Sequence, residues 1–264
     1  MGKLIHLNMS HKTMHLDRIK LLLVGLLLTT NSVCQTIVNT YDLITPIDSC
    51  WSATTEIQGT FAAGNGVFTA LNSGVGIGRA MNEATELWVL SGYNFASESS
   101  NAIYATGFIN ARIHHRVAPG VHLQGFYQSQ FNTALEIKNR ILYGINMAKK
   151  IKTKEFLYNL SSGVFKEDEM YSDESTQRLY RGNVSSSVTT ELSDIDVHLT
   201  IYYQPSFQDL NDFRMLGELS LQFPISDHLE FEVESALRFD SEPHLNLLPL
   251  DFSTVIGMVY SLSN

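Results

Sequence analysis

The chain has 264 residues, 18 of them basic and 27 acidic, for a formal charge of −9. That length holds one barrel-sized domain. The acidic balance excludes the cationic surface that nucleic-acid binding requires, and a mean hydropathy near zero excludes a bundle of apolar transmembrane helices.

The first element is the apolar run Leu21 to Leu28. It is far shorter than the roughly 20 residues of a spanning helix. It fits the hydrophobic segment of a secretory signal, with Arg18 and Lys20 before it and Ser32 and Cys34 as small residues ahead of cleavage at Gln35. Residues 1–34 are therefore expected to be a signal peptide, and a start at Met14 gives it a more ordinary length. Cys34 is a poor lipid-attachment site, because Val33 stands where a small residue is needed. The signal takes Lys3, Lys12, Arg18, Lys20 and Asp17 with it, which leaves 14 basic and 26 acidic residues, a net charge of −12. Cys50 is then the one remaining cysteine and makes no internal disulfide. Residues 35–50 read as a short periplasmic segment and 51–264 as a single domain.

From there on the side chains alternate apolar and polar, the period of a strand with two unlike faces. Twelve strands are predicted, at 52–63, 67–79, 84–96, 102–115, 121–132, 137–149, 154–165, 177–192, 195–205, 212–224, 229–241 and 251–262. Gly, Ala and Ser dilute the contrast in the first two. Gly74-Val75-Gly76-Ile77-Gly78 looks like half a nucleotide fingerprint, but no helix follows, so it reads as small residues in a tightly curved strand. In the sixth strand Ile137, Asn139, Ile141, Tyr143, Ile145 and Met147 alternate with Lys138, Arg140, Gly144 and Asn146. Residues 166–176 read as a solvated acidic loop holding Glu167, Asp168, Glu169, Asp173 and Glu174, with divalent cations as its candidate partners. The clearest strand is the eleventh. It sets Leu229, Phe231, Val233, Ser235, Leu237 and Phe239 on one side and Glu230, Glu232, Glu234, Ala236, Arg238 and Asp240 on the other.

Connections after even-numbered strands are short, such as Ser193–Asp194. Those after odd-numbered strands are mostly longer, such as Glu242–Leu250. Bacterial outer-membrane barrels are built this way, with both termini in the periplasm. Aromatics also bracket the apolar faces, Phe213 and Phe223 on one strand and Phe252 and Tyr260 on another. The expected fold is all-β: a single antiparallel up-and-down transmembrane β-barrel of about 12 strands. A soluble barrel or sandwich is the weaker alternative. The polar face then lines the lumen. Its candidate charges are Arg214, Glu218, Glu230, Glu232, Glu234, Arg238 and Asp240, with Lys138, Arg140 and Arg181 beside them. In the hairpin near Ser226, simple register sets Glu218 opposite Glu234 and Arg214 opposite Arg238. That facing of like charges is unfavourable, and Asp240 relieves it only diagonally.

Three stretches carry a family resemblance: Tyr202-Tyr203-Gln204-Pro205-Ser206, Asp212-Phe213-Arg214 and Arg238-Phe239-Asp240-Ser241-Glu242-Pro243. In this order and spacing they resemble the barrel proteins of domain of unknown function 481, often labelled salt-induced outer-membrane proteins. The resemblance covers residues 100–262 best, and Trp51-Ser52 looks like the family's first strand. It implies an outer-membrane barrel with no assigned activity and brings no catalytic residues. The chain departs from the usual barrel terminus, because Tyr260-Ser261-Leu262 is followed by Ser263-Asn264.

No catalytic residue, metal site or cofactor is expected. His114, His115, His122, His198 and His228 fall at or near the periplasmic end. Only His244 lies in an outer loop, close to Asp240 and Glu242. The favoured function is a non-enzymatic, structural or poorly conducting barrel of a Gram-negative outer membrane. The alternatives are a narrow cation-preferring channel along Glu230, Glu232 and Glu234, and a hydrolase built around His244. The expected partners are outer-membrane lipid and, during biogenesis, the barrel-assembly machinery; nucleic acid is not among them.

Overall fold

A backbone that alternates apolar and polar side chains must give each face its own surroundings. The computed structural model of the protein describes residues 50–63, 67–99, 101–226, 229–244 and 247–260, and there the alternation forms twelve antiparallel strands. They are β1 (Trp51–Ala63), β2 (Val67–Asn82), β3 (Thr85–Glu98), β4 (Asn101–Ala118), β5 (Val121–Asn132), β6 (Ile137–Lys152), β7 (Phe156–Tyr171), β8 (Thr176–Leu192), β9 (Ile195–Pro205), β10 (Phe213–Ser226), β11 (Leu229–Asp240) and β12 (Leu250–Tyr260). Each pairs with its neighbours in sequence. β1 meets β12 through Thr55↔Tyr260 and Glu56↔Val259, which closes the barrel. One turn of 3-10 helix, Thr133–Leu135, joins β5 to β6, with the Asn132 side chain accepting from the Ala134 and Leu135 N–H groups. The expected signal peptide and all but the last residue of the expected periplasmic segment lie outside the described residues.

The outward face is apolar. Val75, Ile77, Val89, Ile109, Ile145, Ile201, Leu237 and Ile256 all point away from the lumen and are exposed. Two aromatic clusters mark its limits on β9–β11. At the long-loop end the Phe213 ring lies 5.7 Å from Tyr203 and 5.5 Å from Phe239, and at the short-turn end Phe223 lies 5.8 Å from Phe231. Ten residues of β10 separate them, about 33 Å of strand. At a tilt of about 40° that spans about 25 Å, the height of a lipid-facing band. The Tyr260 side chain, expected to join such a girdle, lies outside the described residues.

The structure corrects three expectations. First, β7 runs on to Tyr171, six residues past its expected end at 165. Glu167, Asp168 and Glu169 are therefore strand residues and not a solvated loop, with Glu167 and Glu169 turned inward. Second, β10 and β11 pair two residues away from the expected register, with a one-residue bulge between Pro224 and Ser226 beside the turn. Arg214 now faces Asp240, Glu218 faces Ala236 and Glu234 faces Ser220, so no like charges oppose. Third, a bulge at Lys138 turns Ile137 inward and leaves Lys138 at the rim, exposed and bonded to Glu174 at 2.6 Å, so it is not a lumen charge. Every other described strand end falls within three residues of the expected one.

The glycine run on β2 also has a use beyond curvature. Gly74, Gly76 and Gly78 face inward and are buried. A Cβ at Gly78 would sit 2.6 Å from the Trp88 ring, whose indole is buried beside Leu90 and Phe108. The missing side chain is the seat of the indole. Gly78→Leu is expected to overpack this wall and to cost about 1–3 kcal/mol. Urea unfolding of the detergent-folded barrel, followed by tryptophan fluorescence, measures it.

Candidate functional site

Inward positions on β6, β7, β8, β10 and β11 converge near the long-loop end of the lumen. Glu167 on β7 is the centre. It pairs with Arg140 of β6, with Arg181 Nε of β8 at 2.7 Å and with Arg214 Nη1 of β10 at 2.5 Å. The last contact passes over β8 and β9, so it crosses the lumen and does not follow the wall. Glu169, two residues on and on the same face, pairs with Arg140 at 3.0 Å and with Arg214 at 3.3 Å, and accepts from the Tyr171 hydroxyl at 2.8 Å. Arg181 also binds Asp212 at 2.9 Å, and Arg214 Nε binds Asp240 at 2.8 Å. The three arginines and the two glutamates are at most 4% exposed.

This geometry needs arginine. A guanidinium presents five donors in a fixed fork, so Arg214 can hold Glu167, Glu169 and Asp240 at once. Beside the cluster, Arg238 Nη2 binds Glu218 at 3.2 Å while Nη1 donates to Ser253 Oγ. Outside it, His244 stacks on Tyr171 with ring centroids 3.7 Å apart, and Leu247 packs on Leu135, Ile137 and Tyr171. Apolar and aromatic groups from the β5–β6 and β11–β12 connections and the end of β7 thus lie beside the layer of ion pairs.

All seven candidate lumen charges on β10 and β11 do take inward positions, but they divide between two levels. Arg214 and Asp240 belong to the cluster, and Glu218 and Arg238 form their own pair. Glu230, Glu232 and Glu234 lie nearer the short-turn end, where Glu232 accepts from Ser220 Oγ at 2.7 Å and from Gln222 Nε2 at 3.0 Å. Between the levels run amide ladders. Asn110 donates to Gln128 and Gln128 to Gln130, while Gln204 donates to Asn183 and Asn183 to Asn146.

Sequence reasoning missed Glu167, Glu169 and Asp212 as lumen groups. The signal for the first two was present, because Phe165, Glu167, Glu169 and Tyr171 continue one parity while Lys166, Asp168 and Met170 continue the other. The remaining carboxylates of that segment disperse. Asp168 pairs with Lys166 and Arg178, and Glu174 with Lys138. Asp173 accepts from Ser175 N and Oγ, which holds its carboxyl below the usual range, and lies 3.7 Å from His244.

Two of the three stretches that carried the family resemblance supply side chains to the cluster or to the pair beside it. Asp212 and Arg214 flank the outward Phe213, and Arg238 and Asp240 flank the outward Phe239. Ser241 Oγ ties the two stretches, accepting from Phe213 N at 2.7 Å and donating to the Asn211 carbonyl at 2.8 Å.

The sequence model of the family described as "Protein of unknown function, DUF481" matches residues 93–262. No curated protein matches the sequence. Among solved structures, the NanC porin aligns with a TM-score of 0.51 at 11% identity, over 79% of this chain and 100% of that one. The translocator domain of autotransporter NalP from Neisseria meningitidis gives 0.45 at 16% identity over 96% of both chains, and the KdgM porin 0.45 at 8% over 80% and 99%. At 11% identity the likeness to the NanC porin is one of fold alone.

Removing one partner from a buried ion pair leaves an uncompensated charge, which costs about 3–5 kcal/mol. Glu167→Ala strands three arginines and is expected to lower the unfolding free energy by about that amount. Exposed Glu174→Ala is expected to change it by about 0–1 kcal/mol. Urea unfolding of both variants beside the parent protein checks the contrast.

Proposed function

The chain belongs to the DUF481 family, and we propose from its geometry that it is an outer-membrane β-barrel whose lumen is sealed near the outer mouth, with a structural and non-enzymatic role in the envelope. The observation that carries this reading is Glu167, held across the lumen by arginines from three strands. An open pore would keep such groups solvated and mobile. Here their donors and acceptors are spent on one another.

The membrane placement is supported by the apolar outward face, by its aromatic limits and by the longer β9–β10 and β11–β12 connections at the end opposite the short turns. A hydrocarbon setting also accounts for closure, since an open sheet edge would leave unpaired backbone groups in lipid. Outer-membrane lipid is then the main partner, and the barrel-assembly machinery serves it during insertion.

A narrow cation path is the second reading. The half-buried Glu230 and Glu234, inward on β11 at the short-turn level, favour it. Such a path would still have to pass the cluster around Glu167. The hydrolase reading finds less support, because the His244 ring stacks on Tyr171 and faces Asp173, and no serine or threonine oxygen bonds to it among the described residues.

Planar-bilayer recording of the refolded protein tests the proposal. The parent is expected to show no unitary steps at moderate voltage, and Glu167→Ala/Glu169→Ala/Arg214→Ala to show discrete ones if the variant folds. Steps from the parent, cation-selective and abolished by Glu230→Gln/Glu232→Gln/Glu234→Gln, would replace the sealed barrel with the channel.

A further inference from the structure

The cluster accounts for four of the fourteen cations expected outside the signal segment, counting Arg238 with Arg140, Arg181 and Arg214. Six others gather at the opposite, short-turn rim. Arg79 ends β2, Arg116 lies near the end of β4, and Lys149, Lys150, Lys152 and Lys154 crowd the hairpin from β6 to β7. All six are exposed. None takes part in an ion pair among the described residues. The local contacts they do make leave the charge uncancelled. Arg79 lies over the Trp51 ring at 4.9 Å, Arg116 donates to the Glu83 carbonyl and Lys149 to the Pro119 carbonyl.

In an acidic protein this is a concentrated imbalance. Against these six cations the same rim section offers three carboxylates, Glu83 and Glu155 in its turns and Glu86 near the start of β3. The carboxylates Glu191, Asp194, Asp196 and Glu230 lie along the rest of the rim, on β8–β11. One end of the barrel therefore has a cationic section, β2–β7, about 24 Å wide at about 4.8 Å per strand spacing, and an anionic one.

What meets the cationic section is indicated by its neighbours. Met81, Val117 and Ile151 are 55%, 53% and 46% exposed between those cations. They continue the apolar outward face downward. Arg79 and Lys149 share the outward parity of these residues, while Arg116, Lys150 and Lys152 take the inward parity at the very ends of their strands, where long stems let their charge reach around the rim to the headgroup level. A soluble acidic partner would satisfy the charges but not these apolar side chains. We propose that the short-turn rim of β2–β7, centred on the β6–β7 lysine hairpin, binds the headgroups of anionic phospholipid and enriches it in the leaflet around that end. The proposal rests on the membrane reading above.

The test uses the refolded, full-length barrel in vesicles of phosphatidylcholine, with or without about 20% phosphatidylglycerol. Spin-labelled lipids report which species contacts the protein. Insertion into both vesicles is expected, with labelled phosphatidylglycerol about threefold enriched at the protein surface at low salt and the preference fading near 0.5 M salt. Lys149→Gln/Lys150→Gln/Lys152→Gln/Lys154→Gln, on an exposed hairpin, is expected to insert normally and lose most of the enrichment. Failure to insert into either vesicle overturns the membrane reading and this proposal with it. Insertion with equal contact to both lipids overturns the proposal alone, as does enrichment that survives the lysine substitutions. Binding of soluble polyglutamate to the phosphatidylcholine vesicles, without phosphatidylglycerol enrichment, would assign the rim to an acidic soluble partner instead.

Discussion

The inside of a twelve-strand barrel has modest width, so a charged side chain there keeps its charge only if another wall answers it. Glu167 is where that condition is most severe. Its carboxylate is 1% exposed and touches guanidinium groups from β6, β8 and β10. Unpaired, it would cost several kcal/mol or be protonated. Three guanidinium groups ring it, and Glu169, Asp212 and Asp240 are each bound to one or two of the same arginines. One anion on β7 thus constrains residues on four other strands or their flanks.

That constraint supplies something the hydrophobic pattern cannot. Alternation has a period of two, so sliding one strand by two residues leaves every side chain on its proper face. The apolar faces of β10 and β11 fit two registers equally well. In one, Glu218 faces Glu234 and Arg214 faces Arg238. In the other, Arg214 faces Asp240 and Glu218 comes within 3.2 Å of Arg238. Like charges facing across a strand pair are destabilising and opposite ones favourable. The charges favour the second, and a one-residue bulge between Pro224 and Ser226 keeps both strands on their proper faces beyond the turn.

This is also why the fold was more legible in the sequence than the site. Strand number, order and facing follow from local alternation, which each segment carries by itself. The position of the cluster depends on contacts such as Arg214 to Glu167, 47 residues apart and across the lumen. Nothing local announces them. The Glu167-to-Glu169 segment was further masked by its own charge, since a run of carboxylates resembles a solvated loop unless the flanking Phe165 and Tyr171 are counted with it. At Lys138 the parity itself breaks, because a bulge adds a residue that alternation cannot foresee. Trp88 shows the reverse case. Its glycine seat was visible as a pattern, but the pattern pointed to curvature because the indole that fills it comes from the next strand.

The two ends of the barrel put their charges to opposite uses. Near the long-loop end, arginines are buried and paired with carboxylates, and aromatic and apolar groups lie against them. Such pairs contribute little net stability over an apolar plug, because their desolvation offsets most of the attraction. What they add is definition of register and of cross-lumen position. At the short-turn rim the lysines are exposed and set among apolar side chains. A channel would be expected to reverse this distribution, with free charge along the lumen and little at the lipid boundary. Charge that is paired around Glu167 and exposed at the short-turn rim is the physical ground for the proposed reading of a sealed barrel.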